Sequence, residues 1–231
     1  MGTVSIQEFT TKNPISRIGY EAGVCWGADV SDPVKNYQRG IDCIEKDHGR
    51  TLEFPDVYAT IEGYSARVIR EWYTHIGGAP TRLQASTRYI NYNEFEYVVP
   101  PLVEHNPEAK KIYEELMSNI SDTCIKLKSL GVPTEDVGMV LPLAMTTKIV
   151  DKRNSRNLID MSRQRECSRA YHEYRELFAD YKNALRNYSE EWAYLVDRYF
   201  MPKCEYRGFC PENNSKCKRM PNKNELKEVN K

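Results

Sequence analysis

No stretch of this chain approaches the roughly 20 consecutive apolar residues that a membrane-spanning helix needs. The N-terminus, MGTVSIQEFTTKNP, lacks both a basic first segment and an apolar run behind it, so no secretory signal is expected. Gly2 followed by Ser5 imitates an N-myristoylation start, but the hydroxyl residue falls one position early. Neither sign of charge is in excess: 33 Lys+Arg balance 33 Asp+Glu. A general nucleic-acid binder would carry a basic surplus, so the balance argues against that class, although local basic clusters can still hold a nucleotide phosphate. Internal repeats and low-complexity linkers are absent. Phenylalanine is scarce, 6 residues against 16 tyrosines, and tyrosine suits buried interfaces and ring-stacking pockets. The seven cysteines are Cys25, Cys43, Cys124, Cys167, Cys204, Cys210 and Cys217. Their odd number, without a signal peptide, reads as reduced thiols in a cytoplasmic protein.

What is present fits one domain over residues 1–231, with residues 200–231 as a Cys-containing extension whose polar tail frays after Pro221. Residues 35–47 read as a short helix with Tyr37, Ile41 and Ile44 on one face. Residues 52–62 read as a strand in which Val57, Ala59 and Ile61 alternate inward. Ser65 is placed to cap a helix from Ala66 to His75, with Val68, Ile69 and Trp72 buried, before Gly77, Gly78 and Pro80 break it. Residues 94–99 read as a further strand ending at Pro100-Pro101. Asn106-Pro107 opens a helix carrying Ile112, Leu116, Ile120, Cys124 and Leu127, closed by Gly131. Pro133-Thr-Glu-Asp starts a short helix, and a long one is expected over residues 154–187.

Two segments carry chemistry. In REWYTHIGGAPTRLQASTRY, residues 70–89, a helix delivers His75 to a Gly77-Gly78 turn, and Arg82, Gln84, Ser86 and Arg88 follow closely. Glycines let backbone N–H groups approach a phosphate, and arginines grip its oxygens through a forked geometry. The alternative is a loop with solvated arginines. In residues 139–178, an apolar start leads to Asn154, Arg156, Asp160, Arg163, Arg165, Arg169 and Glu173. Helical spacing puts Arg165, Arg169 and Glu173 on one stripe, which also suits an exposed helix laced with ion pairs.

Together these segments resemble the flavin-dependent thymidylate synthase family. Ser86-Thr87-Arg88-Tyr89 looks like the end of the family's Arg-His-Arg signature, and Phe95-Glu96-Tyr97-Val98-Val99-Pro100 is similar to its strand running into a proline. Gly131-Val132-Pro133, Val140-Leu141-Pro142-Leu143 and Asn154-Ser155-Arg156 with Leu158 reproduce a second block. The likeness runs from about residue 48 to residue 180. It implies an α+β fold with a central antiparallel sheet and long helices, and a homotetramer whose active sites are shared between subunits. It also implies FAD, dUMP, methylenetetrahydrofolate and NADPH, with reduced flavin supplying the hydride and no cysteine nucleophile. By this resemblance Gln84, Ser86, Thr87 and Arg88 bind dUMP, and Arg165 polarises the uracil. His75, Gly77, Gly78, Arg82, Asn154, Arg156 and Asp160 contact the flavin, with His75 joining Arg165 as a catalytic candidate.

The chain departs from the family pattern in several places. Arg-His-Arg is replaced by Thr74-His75-Ile76, and the run from there to Ser86 is longer than the family's. Asp160 replaces a flavin Asn, Gly138 replaces an arginine that contacts dUMP, and an upstream flavin His falls at Pro55 or its neighbours. These losses admit two other readings: a folate-dependent pyrimidine nucleotide hydroxymethylase, and a non-catalytic nucleotide-binding homologue. The last motif is PKCEYRGFCPENNSKC. Cys204, Cys210 and Cys217 are able to hold zinc with Cys167 or His172 as a fourth ligand, to stay unliganded, or to form a redox disulfide.

Overall fold

The computed structural model describes residues 2–212, 217–223 and 225. In chain order, β1 (Thr3–Ile6) leads to two helices, α1 (Pro14–Cys25) and α2 (Pro33–Glu45), and a 3-10 turn at Gly49–Glu53. Then come β2 (Asp56–Ser65), α3 (Ala66–Trp72), β3 (Thr81–Gln84), α4 (Pro101–Glu104), α5 (Pro107–Ser129) and α6 (Thr134–Val137). After a 3-10 turn at Gly138–Val140 follow β4 (Thr146–Asn154), α7 (Ser155–Arg165), α8 (His172–Tyr188), α9 (Glu190–Tyr199) and α10 (Lys203–Arg207). The strands form one antiparallel sheet in the order β1-β2-β4-β3, so the expected α+β fold with long helices is observed. Among the described residues no helix is long and apolar enough to cross a membrane.

The chain divides into two compact units. The first holds the residues up to Thr3, Ile61–Tyr73 and Leu83–Val150; the second holds Val4–Thr60, Thr74–Arg82 and Asp151 onward. In the first unit, the Ser65 side chain accepts from the Val68 N–H and starts α3, which buries Val68, Ile69 and Trp72 as its spacing requires. Asn106 caps α5 through the N–H groups of Glu108 and Ala109, and Gly131, at φ +82°, lets the chain leave that helix. The inward face of α5 is narrower than the apolar spacing suggests. Met117 and Cys124 are buried, whereas Ile112 and Leu116 are exposed.

In the second unit α1 and α2 cross closely. A Cβ on Gly19 would fall onto the Asn36 carbonyl oxygen, and one on Gly40 onto the Ile15 carbonyl oxygen. That contact turns α2, so its buried face is Asn36, Gly40, Cys43 and Ile44, while Tyr37 and Ile41 are half-buried. Tyr174, Leu177, Phe178, Tyr181 and Leu185 of α8 and Trp192 and Leu195 of α9 are fully buried. Burial of such side chains, about 1.5–3 kcal/mol each, is the main force holding this unit.

Four expected elements differ. The strand expected over 52–62 runs from Asp56 to Ser65, because Gly49–Glu53 coils into a 3-10 turn before Pro55. Residues 94–99 do not form a strand; Tyr97 makes one isolated bridge to Met145. The alternation is real, but two prolines follow at once and remove the donors a longer ladder would need. The 154–187 helix is two helices. Glu166 ends α7 and ion-pairs Lys182 of α8 at 2.9 Å, turning the chain back through residues 166–171. Arg165, Arg169 and Glu173 therefore do not share a helical stripe, and Glu173 is buried at the start of α8. The helix expected to reach His75 stops at Trp72. Most of the tail expected to fray after Pro221 lies outside the described residues.

Candidate active site

β4 sets the site through its alternation. Thr147, Ile149, Asp151 and Arg153 all point inward, so the strand drives a carboxylate and a guanidinium into the interior. Both are fully buried, and burial of such groups is tolerated only with partners. Arg153 Nε donates to Asp151 Oδ2 at 2.7 Å, and its Nη1 donates to Asn157 Oδ1 at 2.7 Å and to the His75 carbonyl at 2.9 Å. The strand thereby clamps the backbone of the segment that carries His75.

The His75 ring meets Arg165, the last residue of α7. Arg165 Nε donates to His75 Nε2 at 2.8 Å, and Nη2 donates to Thr74 Oγ1 at 3.3 Å. The guanidinium also lies over the Tyr174 ring at 4.8 Å, and His75 meets the same ring edge-on at 6.1 Å. Burial first, then the Arg165 and Arg153 charges, lower the His75 pKa from 6.5 to about 4. The imidazole is therefore neutral at physiological pH. Its Nε2 accepts, which places the proton on Nδ1.

Arg165 lines a cleft of about 670 Å³ together with Arg163, Gln164, Arg169, Lys203 and Arg207. Asp160 and Glu212 are the acids in its wall, so cations predominate. Glu212 bridges Arg169 at 2.8 Å and Lys203 at 3.3 Å. Such a donor set suits a multiply charged anion.

The other expected flavin residues gather near the start of α7. Asn154 caps that helix by accepting from the Asn157 N–H at 2.9 Å, and its amide donates to the Gly78 carbonyl at 3.4 Å. Gly78 has φ +72°, and a Cβ there would collide with the Asn154 amide. Gly77 lies beside Asn157. Arg156 is half-exposed and pairs with Glu53 at 2.6 Å. Asp160 lines the cleft and pairs with Arg163 at 3.3 Å. Arg82 is half-buried in β3.

The expected dUMP residues other than Arg165 belong to the first unit. Gln84 donates to Thr147 Oγ1 at 3.3 Å, and Ser86 Oγ accepts from the Arg88 N–H at 3.2 Å. Arg88 reaches Glu135 at 3.1 Å with both side chains well exposed. Thr87 packs against Gly138, and no side chain stands there to reach past it. Sequence reasoning missed Asp151, Arg153 and Asn157 as supports of His75, and missed Lys203 and Arg207 in the cleft. The segment TTKIVDKRN carries no apolar alternation, so nothing in the sequence marks Asp151 and Arg153 as inward.

Comparison with known proteins bears on this geometry. Residues 9–188 match the family described as Thymidylate synthase complementing protein. A flavin-dependent thymidylate synthase of Nitratidesulfovibrio vulgaris is 28% identical over 217 residues, covering 87% of this chain and 86% of that protein. One from Thermococcus onnurineus is 31% identical over 174 residues, covering 71% and 68%. Among solved structures, thymidylate synthase X from Helicobacter pylori, crystallised with FAD and dUMP, superposes with a TM-score of 0.66 at 18% identity. That match covers 87% of this chain and 99% of the other, and it bears on the fold.

Proposed function

The chain belongs to the flavin-dependent thymidylate synthase family, and on that footing we propose that it converts dUMP to dTMP by reductive methylation with methylenetetrahydrofolate, FAD and NADPH. The observation that carries this reading is Arg165, aimed by a neutral histidine and lining a cleft whose charged lining is mainly cationic. The residues present fit an anionic flavin nucleotide. The cleft is large enough, its walls are guanidinium-rich, and the Gly78 backbone packs on the Asn154 cap of α7, where a Cβ would collide.

Reduced FAD, when bound, supplies the hydride that ends in the new methyl group. The protein's part is positioning and charge stabilisation. Arg165 offers its guanidinium to the uracil carbonyls and stabilises the negative charge that makes C5 nucleophilic. His75 is a positioning residue toward Arg165: it accepts from Nε while Arg165 lines the cleft. A protonated His75 would set two cations at 2.8 Å, so its lowered pKa keeps the pair intact. Asp160, Asn154, Arg156, Arg82 and the Gly77-Gly78 backbone serve the flavin. Ser86 and Arg88 take the dUMP phosphate, with Gln84 and Thr87 fixing orientation. In a homotetramer with shared sites, these residues of one subunit serve with Arg165 of another. Exposed Leu102, Ile112, Leu116, Leu130 and Met139 in the first unit suit subunit contacts. A cytoplasmic location belongs to this reading, and the seven free cysteines support it.

One observation favours a second reading. Thr74 and Ile76 flank His75 where the family has arginines, and Ile76 is exposed. A folate-dependent hydroxymethylase on the same nucleotide would dispense with those contacts. The visible spectrum of the purified protein, before and after adding FAD and then dUMP, separates the two. Bound-flavin bands perturbed by dUMP support the synthase. A protein that binds dUMP but never takes up flavin favours the hydroxymethylase.

A further inference from the structure

The cleft that Arg165 lines draws part of its wall from beyond residues 9–188, the part matched by the family. Lys203, Tyr206 and Arg207 of α10, and Glu212 after it, belong to that wall. The zinc option raised by this segment's cysteines has no geometry behind it, because among the described residues no three His, Cys, Asp or Glu side chains stand close enough to hold an ion. Its cations are better placed. α10 is pinned to the end of α7 and to α8. Lys182 Nζ donates to the Phe200 carbonyl at 3.1 Å, and Arg219 donates to the Glu166 carbonyl at 3.0 Å and pairs with Glu205 at 3.4 Å. Lys203 and Arg207 stand four residues apart, about one helical turn, so both reach the same wall. The Arg163 guanidinium lies over the Tyr206 ring at 4.1 Å, a cation–π contact that ties α7 to α10. Thr74 and Ile76, on either side of His75, carry no charge, so the cations that join Arg165 come from α7, α10 and the turn at Arg169.

We infer that Arg163, Arg169, Lys203 and Arg207 form a subsite for the diphosphate of a dinucleotide, with α10 as its outer wall. This rests on the reading of the chain as a user of dinucleotides, and it assigns their diphosphate a place. Five cations and two carboxylates line the cleft, a surplus of three positive charges. A diphosphate diester brings two negative charges, which leaves the Arg165 guanidinium for the uracil. Guanidinium forks and a lysine ammonium are the donors that grip phosphate oxygens. The Glu212 carboxylate shows that an oxyanion fits here, since it pairs with Arg169 at 2.8 Å and with Lys203 at 3.3 Å. A diphosphate on the same two cations competes with Glu212. This carboxylate therefore weakens binding and favours a ligand with two charged groups over one with a single phosphate.

The test uses the full chain, with inorganic pyrophosphate as the probe and isothermal titration as the readout. The native chain should bind pyrophosphate more tightly than orthophosphate, with an affinity that falls as salt is raised. Lys203→Gln and Arg207→Gln should each weaken binding about 10-fold, and Glu212→Gln should strengthen it about 3-fold. Lys35→Gln, which alters an exposed cation of α2, should leave it unchanged. If a variant fails to fold, the comparison of pyrophosphate with orthophosphate on the native chain still decides. FAD and NADPH are then added as competitors. Displacement by FAD assigns the subsite to the flavin dinucleotide. Displacement by NADPH alone keeps the subsite and counts against flavin binding in this cleft. The inference is overturned, even for a chain that takes up flavin, by no binding of pyrophosphate or by equal affinity for orthophosphate. It is likewise overturned by unchanged affinity in both Lys203→Gln and Arg207→Gln, or by displacement with neither dinucleotide.

Discussion

Replacing Arg165 with glutamine should raise the pKa of His75 without returning it to an ordinary value. In the native chain burial is the largest cause lowering the imidazole pKa from 6.5 to about 4, and the Arg165 charge is the second. The glutamine amide keeps a donor within reach of Nε2 but removes the charge, so about one unit of the shift should be recovered, equivalent to about 1.4 kcal/mol. The burial contribution should remain. The assay is a long-range proton–nitrogen correlation of the imidazole rings across pH, with His75 assigned against His48, His105 and His172 by a His75→Gln variant. The same spectra report the tautomer, which should carry its proton on Nδ1 because Nε2 accepts from Arg165. The sign of the linked stability follows. The unfolded chain protonates this histidine near 6.5 and the folded chain near 4, so its contribution is intact above 6.5 and lost as pH falls toward 4. The loss is about 3 kcal/mol before allowing for water that reaches the ring, and about half that afterwards. A native His75 titrating near 6.5, or an unchanged pKa in Arg165→Gln, would refute the pairing.

Other substitutions test the scaffold and the substrate contacts. Arg153→Met breaks the fully buried ion pair with Asp151 and the bond to the His75 carbonyl, so calorimetry should show a loss of about 3–5 kcal/mol. Adding Asp151→Leu should recover part of it, and a near-neutral single variant would contradict the buried pair. Arg88→Ala removes an exposed pairing with Glu135 and an exposed contact over the Tyr89 ring at 5.6 Å, so stability should change by less than about 1 kcal/mol. Its dUMP dissociation constant should rise about 10- to 100-fold by equilibrium titration, and an unchanged constant would remove Arg88 from the phosphate site. Gly40→Ala places a Cβ against the Ile15 carbonyl and should cost about 1–3 kcal/mol in denaturant unfolding. No loss would mean that α1 and α2 cross less closely than described.

The parts of this fold legible in the sequence are those set by neighbours along the chain. The Ser65 and Asn106 caps, the alternation of Val57, Ala59 and Ile61, and the break at Gly131 all depend on local chemistry, and all are observed. What was missed depends on distant partners. Helix α1 was not anticipated because it is packed through Gly19 against α2, which no apolar stripe signals. Residues 94–99 alternate like a strand, but a strand also needs a neighbour to pair with, and only Tyr97 finds one. The turn after Arg165 rests on the Glu166–Lys182 pair, formed between residues far apart in sequence. Arg165 and His75 were singled out separately by resemblance. Their hydrogen bond, and the Arg153 clamp behind it, are visible only once β4 is folded. The local segments around Gln84–Arg88 and Asn154–Asp160 could be named from sequence, but not that Asn154 spends its side-chain oxygen on capping α7.

The most direct measurement is tritium release from 5-tritiated dUMP by the purified chain supplied with FAD, methylenetetrahydrofolate and NADPH, with dTMP quantified in the same samples. The account predicts release matched by dTMP, and neither from Arg165→Ala despite unaltered folding. Absence of release from a flavin-loaded protein that binds dUMP, or full turnover by Arg165→Ala, would contradict it.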